Sequence, residues 1–395
     1  MSRQRMAAGP GPAEAIEAGA GTAARHVVIS SFDGPGNRHY GGGGAAVVEM
    51  IAARLAAHYE VTVVTAGRRS ETVVRDGVRY RKLPLEWAGP RAGQLIYHAL
   101  LPFAARTIPH DLWIESFTPP FSTSFLPLFS PARVVGFAQS LHAREMWDRY
   151  RLPFFLVERL GLRFYRDVVV LNAAHRTQVR RCNPDATVHV IPNGIESRRL
   201  DERLIGHGEH ILYLGRIDTW QKGLDLLLAA HARSGLAMPL LVAGKGTRRE
   251  ERKFAALLAS TGGDVRWVGH VSGQRKQELL ERSAFVTLPS RNETFGLAAL
   301  EAMSCGKPVL HFDLPPLRWM DGDVRVPPFD VSALADAIRD LAGDQTARRE
   351  LGRAAHAAAQ RHGCDDTAGR FLALVRELLD APGVSTAAGG GPPCR

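Results

Sequence analysis

The chain has 395 residues, 45% of them apolar and 23% charged, with 50 lysines and arginines against 40 acidic residues for a net charge of +10. That length exceeds one ordinary core and favours two domains, and no apolar run reaches membrane-spanning length. Four cysteines (Cys182, Cys305, Cys364, Cys394) lie far apart with no Cys-x-x-Cys pair, which argues against a disulfide framework or zinc site and fits a reducing cytoplasm.

Residues 1–24 are rich in Ala and Gly with Pro10 and Pro12, and read as a disordered tail rather than a signal peptide. A first domain is expected over 25–194. It opens with the apolar strand His26-Val27-Val28-Ile29-Ser30, a glycine-rich loop to Gly44, and a helix carrying Val48, Ile51, Ala52 and Leu55 at helical spacing. With the strand at Glu60–Thr65 this makes a βαβ unit, hence a parallel sheet with helices on both faces. Further strands are predicted at Val78–Leu83, Asp111–Glu115, Arg133–Ala138, Asp167–Leu171 and Thr187–Ile191.

The turn Pro192-Asn193-Gly194 and a polar stretch with little apolar periodicity mark a linker over 195–209. A second alternation follows over 210–364, with strands at His210–Leu214, Pro239–Ala243, Asp264–Val268, Ala284–Leu288 and Lys307–His311. Helical patterns fill Val331 to Asp380, of which 365–380 form a terminal helix, and 381–395 read as a second disordered tail. The fold class is therefore α/β: two doubly wound, Rossmann-like domains in series, facing each other across a cleft that is the natural ligand site.

The richest segment runs from Pro289 to Met303. Glu293 falls in the loop leaving a buried strand, and Glu301 lies about a turn and a half into the helix that follows. Between them is a helix N-terminus, whose free N–H groups suit a phosphate. Leu214-Gly215-Arg216-Ile217-Asp218 leaves another strand and reaches Lys222-Gly223 before the next helix. Arg216 and Lys222 on one loop form a clamp suited to a diphosphate, the arginine as a planar fork and the lysine as a point charge. Gly43 and Gly44 end a glycine run that opens the first helix, where backbone N–H groups can approach a phosphate.

Other motifs point away from rival chemistries. Gly34-Pro35-Gly36 fails the dinucleotide fingerprint at its third glycine, and Gly244-Lys245-Gly246-Thr247 lacks the spacing of a P-loop. Asp321-Gly322-Asp323 has no preceding apolar strand and reads as a surface turn rather than a metal site. No metal-ligand cluster or covalent nucleophile is evident. The arginine-dense stretch from Arg144 to Arg181 is open to three partners: nucleic acid, an anionic substrate or an anionic membrane. No nucleic-acid motif accompanies it. Leu152–Leu160 adds apolar bulk beside those arginines and is read as an ordinary packed helix in preference to an interfacial one. His142 follows the strand at Arg133–Ala138, on the cleft side of this architecture.

Together these residues resemble glycosyltransferase family 4, the retaining transferases of GT-B fold, from about His26 to Leu379. The resemblance rests on Glu293 and Glu301 with seven residues between them, the Leu214–Gly223 loop, the Pro192-Asn193-Gly194 hinge and the glycine loop near Gly43, in that family's order and spacing. It implies that Arg216 and Lys222 hold the donor diphosphate, helped by backbone at Gly43, Gly44, Gly215 and Gly296-Leu297. It further implies that Glu301 binds the ribose, Glu293 the transferred sugar's hydroxyls and Phe295 the donor, that His270 and Val271 surround the base, and that His142 stands beside the donor sugar. The terminal helix would cross back to brace the first domain. The segment after His311 is shorter than the family's usual glycine-containing donor loop, with Pro315-Pro316-Leu317 in its place.

The implied reaction moves a sugar from a nucleoside-diphosphate sugar, with UDP and GDP not distinguished, to an acceptor hydroxyl with retention and without a metal. Nothing in the first domain names the acceptor; the abundance of Ala, Gly, Pro and Arg leans towards a specialised metabolite or glycolipid, small or lipid-linked, with no nucleic acid, and peripheral contact with the inner face of the membrane stays open. A sugar-nucleotide epimerase or phosphorylase of the same architecture, and a non-catalytic nucleotide-sugar or polyanion binder, are the alternatives.

Overall fold

The computed structural model describes residues 25–34, 43–117, 123–139, 141, 153–196 and 200–380. The expectations for His142, for both tails and for the arginines between 144 and 151 lie outside the described residues. So does most of the loop before Gly43.

The first domain is an eight-stranded sheet of β1 (His26–Ser30), β2 (Glu60–Gly67), β3 (Glu71–Arg75), β4 (Val78–Pro84), β5 (Leu112–Ser116), β6 (Arg133–Ala138), β7 (Asp167–Val170) and β8 (Thr187–Val190). Its spatial order is β3-β4-β2-β1-β5-β6-β7-β8. Every pairing is parallel except β3 with β4. The helices are α1 (Gly43–Ala56), α2 (Gly89–Thr107), α3 (Phe154–Leu162) and α4 (Ala173–Cys182). Strand β3 was not foreseen, because all five of its residues are exposed and give no burial alternation.

The second domain is a wholly parallel six-stranded sheet of β9 (His210–Leu214), β10 (Leu240–Ala243), β11 (Val265–Gly269), β12 (Ser283–Leu288), β13 (Val309–Phe312) and β14 (Asp323–Val326). The order β11-β10-β9-β12-β13-β14 is the doubly wound order 3-2-1-4-5-6, with its switch point between β9 and β12. Helices α5 (Leu224–Ser234), α6 (Arg248–Ser260), α7 (Gly273–Glu281), α8 (Leu297–Ser304) and α9 (Val331–Gly343) alternate with the strands or flank them, and α10 (Gln345–Gln360) and α11 (Cys364–Asp380) complete the chain. β12 is buried at every position, as a strand covered on both faces must be.

The Asp321-Gly322-Asp323 reading needs correction. Gly322 does turn, at φ 72°, but Asp323 opens β14 with its side chain 5% exposed, bonded to His311 at 2.9 Å and to Arg325 at 2.5 Å. The strand Asp323-Val324-Arg325-Val326 is too short and too charged to show a pattern.

The stretch between the domains is fastened rather than loose. Lys307, with no exposed surface, donates to the carbonyls of Leu204 and His207, and buried Arg348 donates to that of Gly206. Helix α11 returns to the first domain and packs on α1, with Phe371 edge-on to Phe137 at 5.0 Å and Arg25 paired to Asp380 at 2.9 Å. At its start Ile195 and Gly363 form a bridge, and Thr367 donates to the carbonyl of Pro192.

Candidate functional site

The two sequence-predicted loops meet at the switch point of the second sheet, outside the carboxyl ends of β9 and β12, where α/β sheets bind ligands. Lys222 and Glu293 form a hydrogen-bonded ion pair, and both side chains are largely buried. Ser290 donates to the same carboxylate oxygen at 3.0 Å. Arg216 stands beside them, about half exposed, and donates to Gln221 at 2.7 Å.

The backbone explains why these side chains converge. Gly223 caps α5 at φ 63°, and a Cβ there would fall 1.9 Å from the carbonyl oxygen of Pro289. Only glycine lets the loop carrying Lys222 lie this close to the loop carrying Glu293. Gly244 plays the same part behind Gly215, since a Cβ on it would meet the Gly215 carbonyl at 1.8 Å.

Arg291 locks the two loops together. Its guanidinium makes a bidentate pair with Asp225 at 2.7 Å on both arms, and it also donates to the carbonyl of Trp220. Its amide donates to the carbonyl of Gln221. The sequence offered no signal for this residue, because its partners lie 66 and 71 positions away.

Gly296, at φ 82°, caps α8 and leaves the free N–H groups of that helix beside Glu293. Glu301, one turn further on, accepts from Lys276 of α7 at 2.8 Å, with both side chains near 30% exposed. Lys276 was also missed. Phe295 does not present its ring to the cleft: it is 2% exposed and stacked on Trp319 at 4.5 Å, and Trp319 donates to its carbonyl. The ring is core, and any donor contact at Phe295 belongs to its main chain. His270 is exposed in the loop after β11, while Val271 is buried.

The first domain reaches this site at Gly43 and at Asn172, with Gly44 fixed between its own strands. A Cβ on Gly43 would lie 2.3 Å from Leu297, so the start of α1 sits against the start of α8. Gly44 is held by Gln139, which donates to its carbonyl and to Ser116. Asn172 caps α4 and donates across the domains to the carbonyl of Thr294 at 2.8 Å.

Asp33, just past β1, faces the same region and was not singled out from sequence. Burial pushes its carboxyl up to about 7, with the Arg216 guanidinium of the other domain pulling partly against that. Its Oδ1 is buried and has no hydrogen-bond partner among the described residues. Glu115, at the end of β5, is likewise raised to about 7 by burial, although Ser124 and Tyr165 donate to it. Among the described residues no three His, Cys, Asp or Glu side chains group as metal ligands.

Comparison with known proteins agrees with this geometry. A family profile described as Glycosyltransferase Family 4 matches residues 41–199, and one described as Glycosyl transferases group 1 matches 208–344. The chain is 34% identical over 185 residues to glycogen synthase of Mycobacterium tuberculosis, covering 43% of each chain. It is 30% identical over 226 residues to phosphatidyl-myo-inositol mannosyltransferase of Mycobacterium leprae, covering 53% of this chain and 59% of that one. It thus spans about half the length of these curated relatives.

Among solved structures, sucrose-phosphate synthase from Thermosynechococcus elongatus superposes with a TM-score of 0.75 at 21% identity, over 91% of this chain and 100% of that one. WaaG, a glycosyltransferase involved in lipopolysaccharide biosynthesis, gives 0.68 at 16%, over 90% and 100%. These two likenesses establish the GT-B fold. The two profiles in series, one on each domain, show that the chain belongs to glycosyltransferase family 4.

Proposed function

We propose that this protein transfers a sugar from a nucleoside-diphosphate sugar to an acceptor hydroxyl, with retention of anomeric configuration and without a metal. The observation that carries the reading is the Lys222–Glu293 pair beside Arg216, set at the switch point between the N-termini of α5 and α8. A diphosphate entering there would draw Lys222 to its phosphates and free Glu293 for the sugar's hydroxyls.

Departure of the diphosphate puts negative charge on the leaving oxygen and positive charge on the anomeric carbon. Arg216, Lys222 and the free N–H groups of α8 are preorganised for the former. With two cations and helix N-termini offsetting the charge, the chain's own groups suffice. Glu301 suits the ribose hydroxyls, with Lys276 holding its carboxylate in place. Glu293 need move no proton, and front-face attack by the acceptor accounts for retention. Closure of the first domain through Gly43 and Asn172 would orient the acceptor and exclude water. His142 is kept in the proposal as a group beside the donor sugar.

Two similar proteins support the reading, one on the donor side and one on the acceptor side. One solved structure of this fold, Anabaena HepE in complex with UDP-glucose, superposes with a TM-score of 0.68 at 15% identity, over 89% of this chain and 99% of that one. The mycobacterial relative named above is a mannosyltransferase acting on phosphatidyl-myo-inositol, which fits a lipid-linked acceptor.

The test is transfer from a panel of sugar nucleotides, with product configuration read by NMR. Glu293→Ala and Lys222→Ala should each lower the rate by about a hundredfold or more while the fold survives. Full activity in both would overturn the reading. Donor turnover without acceptor, or a requirement for inorganic phosphate, would instead favour an epimerase or a phosphorylase.

A further inference from the structure

The outward side of the first domain departs from an ordinary solvated surface. The exposed stripe of α2 reads Leu95, Ala99, Phe103 and then Arg106, with Phe103 69% exposed. A solvent-facing helix stripe normally carries charges of both signs. On α3, Phe154, Glu158, Gly161 and Leu162 point inward, while Leu156, Arg159, Leu160 and Arg163 form the exposed face at helical spacing. Both leucines are more than half exposed. The helix is packed, as the sequence suggested, yet its other face sets two leucines beside two arginines.

These helices belong to one continuous surface. The guanidinium of Arg106 lies over the Phe129 ring at 5.3 Å, which joins α2 to the short 3-10 turn Leu126–Leu128. Phe125, just before that turn, contacts Phe164 at 5.9 Å, just past α3. Thr123 packs against Gly161, where a Cβ would strike it. Residues 89–110, 123–133 and 153–166 contain a single acidic residue, Glu158, and it is buried.

We propose that this face docks on an anionic lipid bilayer. The exposed leucines and phenylalanines would enter the acyl boundary, while Arg106, Arg159 and Arg163 meet lipid phosphates. Charge selects this occupant. A second copy, related by a two-fold axis, would bring one arginine-bearing face without exposed acids against another, whereas an anionic headgroup layer complements it. Each arginine near such a surface strengthens binding about fivefold, so three contribute roughly a hundredfold.

The face is distinct from the Lys222–Glu293 site, so the proposal stands apart from the donor reading. Co-sedimentation tests it without donor or acceptor. The full chain should pellet with vesicles of equal parts phosphatidylglycerol and phosphatidylcholine, release at high salt, and stay in solution with phosphatidylcholine alone. Phe103→Ser with Leu160→Ser, and separately Arg159→Glu with Arg163→Glu, should each weaken binding about tenfold or more while thermal unfolding stays near wild type. No binding to the anionic vesicles, equal binding to phosphatidylcholine, variants that bind as wild type does, or a wild-type dimer that the Phe103/Leu160 variant dissociates would each overturn it.

Discussion

The side-chain amide of Asn172 donates to the main-chain carbonyl of Thr294 at 2.8 Å, and the two residues belong to different domains. Thr294 adjoins Glu293, so the first domain grips the loop that carries the central carboxylate. The same side chain caps α4 by accepting from the amide of His175. Asn172→Asp keeps the cap acceptor but loses the donor and sets a carboxylate against a carbonyl. Losing one such hydrogen bond costs about 1 kcal/mol, so kcat should fall roughly fivefold with little change in donor KM. Wild-type kcat in this variant would show that the contact plays no part.

Gly223 sets the distance between the loops that carry Lys222 and Glu293. Gly223→Ala must place a Cβ 1.9 Å from the Pro289 carbonyl, at φ 63°. The left-handed backbone alone costs about 1–2 kcal/mol, and the collision separates Lys222 from Glu293. A lower melting temperature together with a raised donor KM is expected. An unchanged KM would mean that the loops tolerate separation.

Asp33 gives the protein a pH dependence of known sign. Its carboxyl is raised from 3.8 to about 7 in the folded state. Between those values the unfolded chain ionises while the folded one keeps its proton, so stability falls as pH rises through that window. Asp33→Asn should be more stable than wild type at pH 8, by at most about 4 kcal/mol, with the margin gone near pH 3. Denaturant titrations at both pH values read this directly, and an equal margin at the two would contradict it.

Helix α11 braces the first domain through Phe371, 1% exposed and edge-on to Phe137. Phe371→Ala should cost about 3–5 kcal/mol. Because α11 ties the end of the second domain to the first, melting should also lose cooperativity and split towards two transitions. A single sharp transition at the wild-type temperature would place the brace elsewhere.

Sequence and structure agree where local chemistry suffices. β12 and α8 were legible because a buried β-branched strand and a run of good helix formers each carry their own period, and Lys222 and Glu293 followed from their positions at strand exits. Long-range partners were not legible. Arg291 with Asp225, Asn172 with Thr294 and Lys276 with Glu301 join residues 66, 122 and 25 positions apart, and no periodicity encodes such pairs. The resemblance placed Phe295 among the donor-binding residues. Only the fold reveals that Trp319 claims its ring.

The central claim is that Lys222, Glu293 and Arg216 form a donor diphosphate-sugar site. Thermal unfolding of wild type and Lys222→Ala against a panel of nucleoside-diphosphate sugars tests it most directly. At saturation, about a hundred times Kd, at least one member should stabilise wild type by about 2.7 kcal/mol and raise its melting temperature by several degrees, and Lys222→Ala should lose that shift. A wild type that no member of the panel shifts, or a variant that shifts as wild type does, would contradict the account.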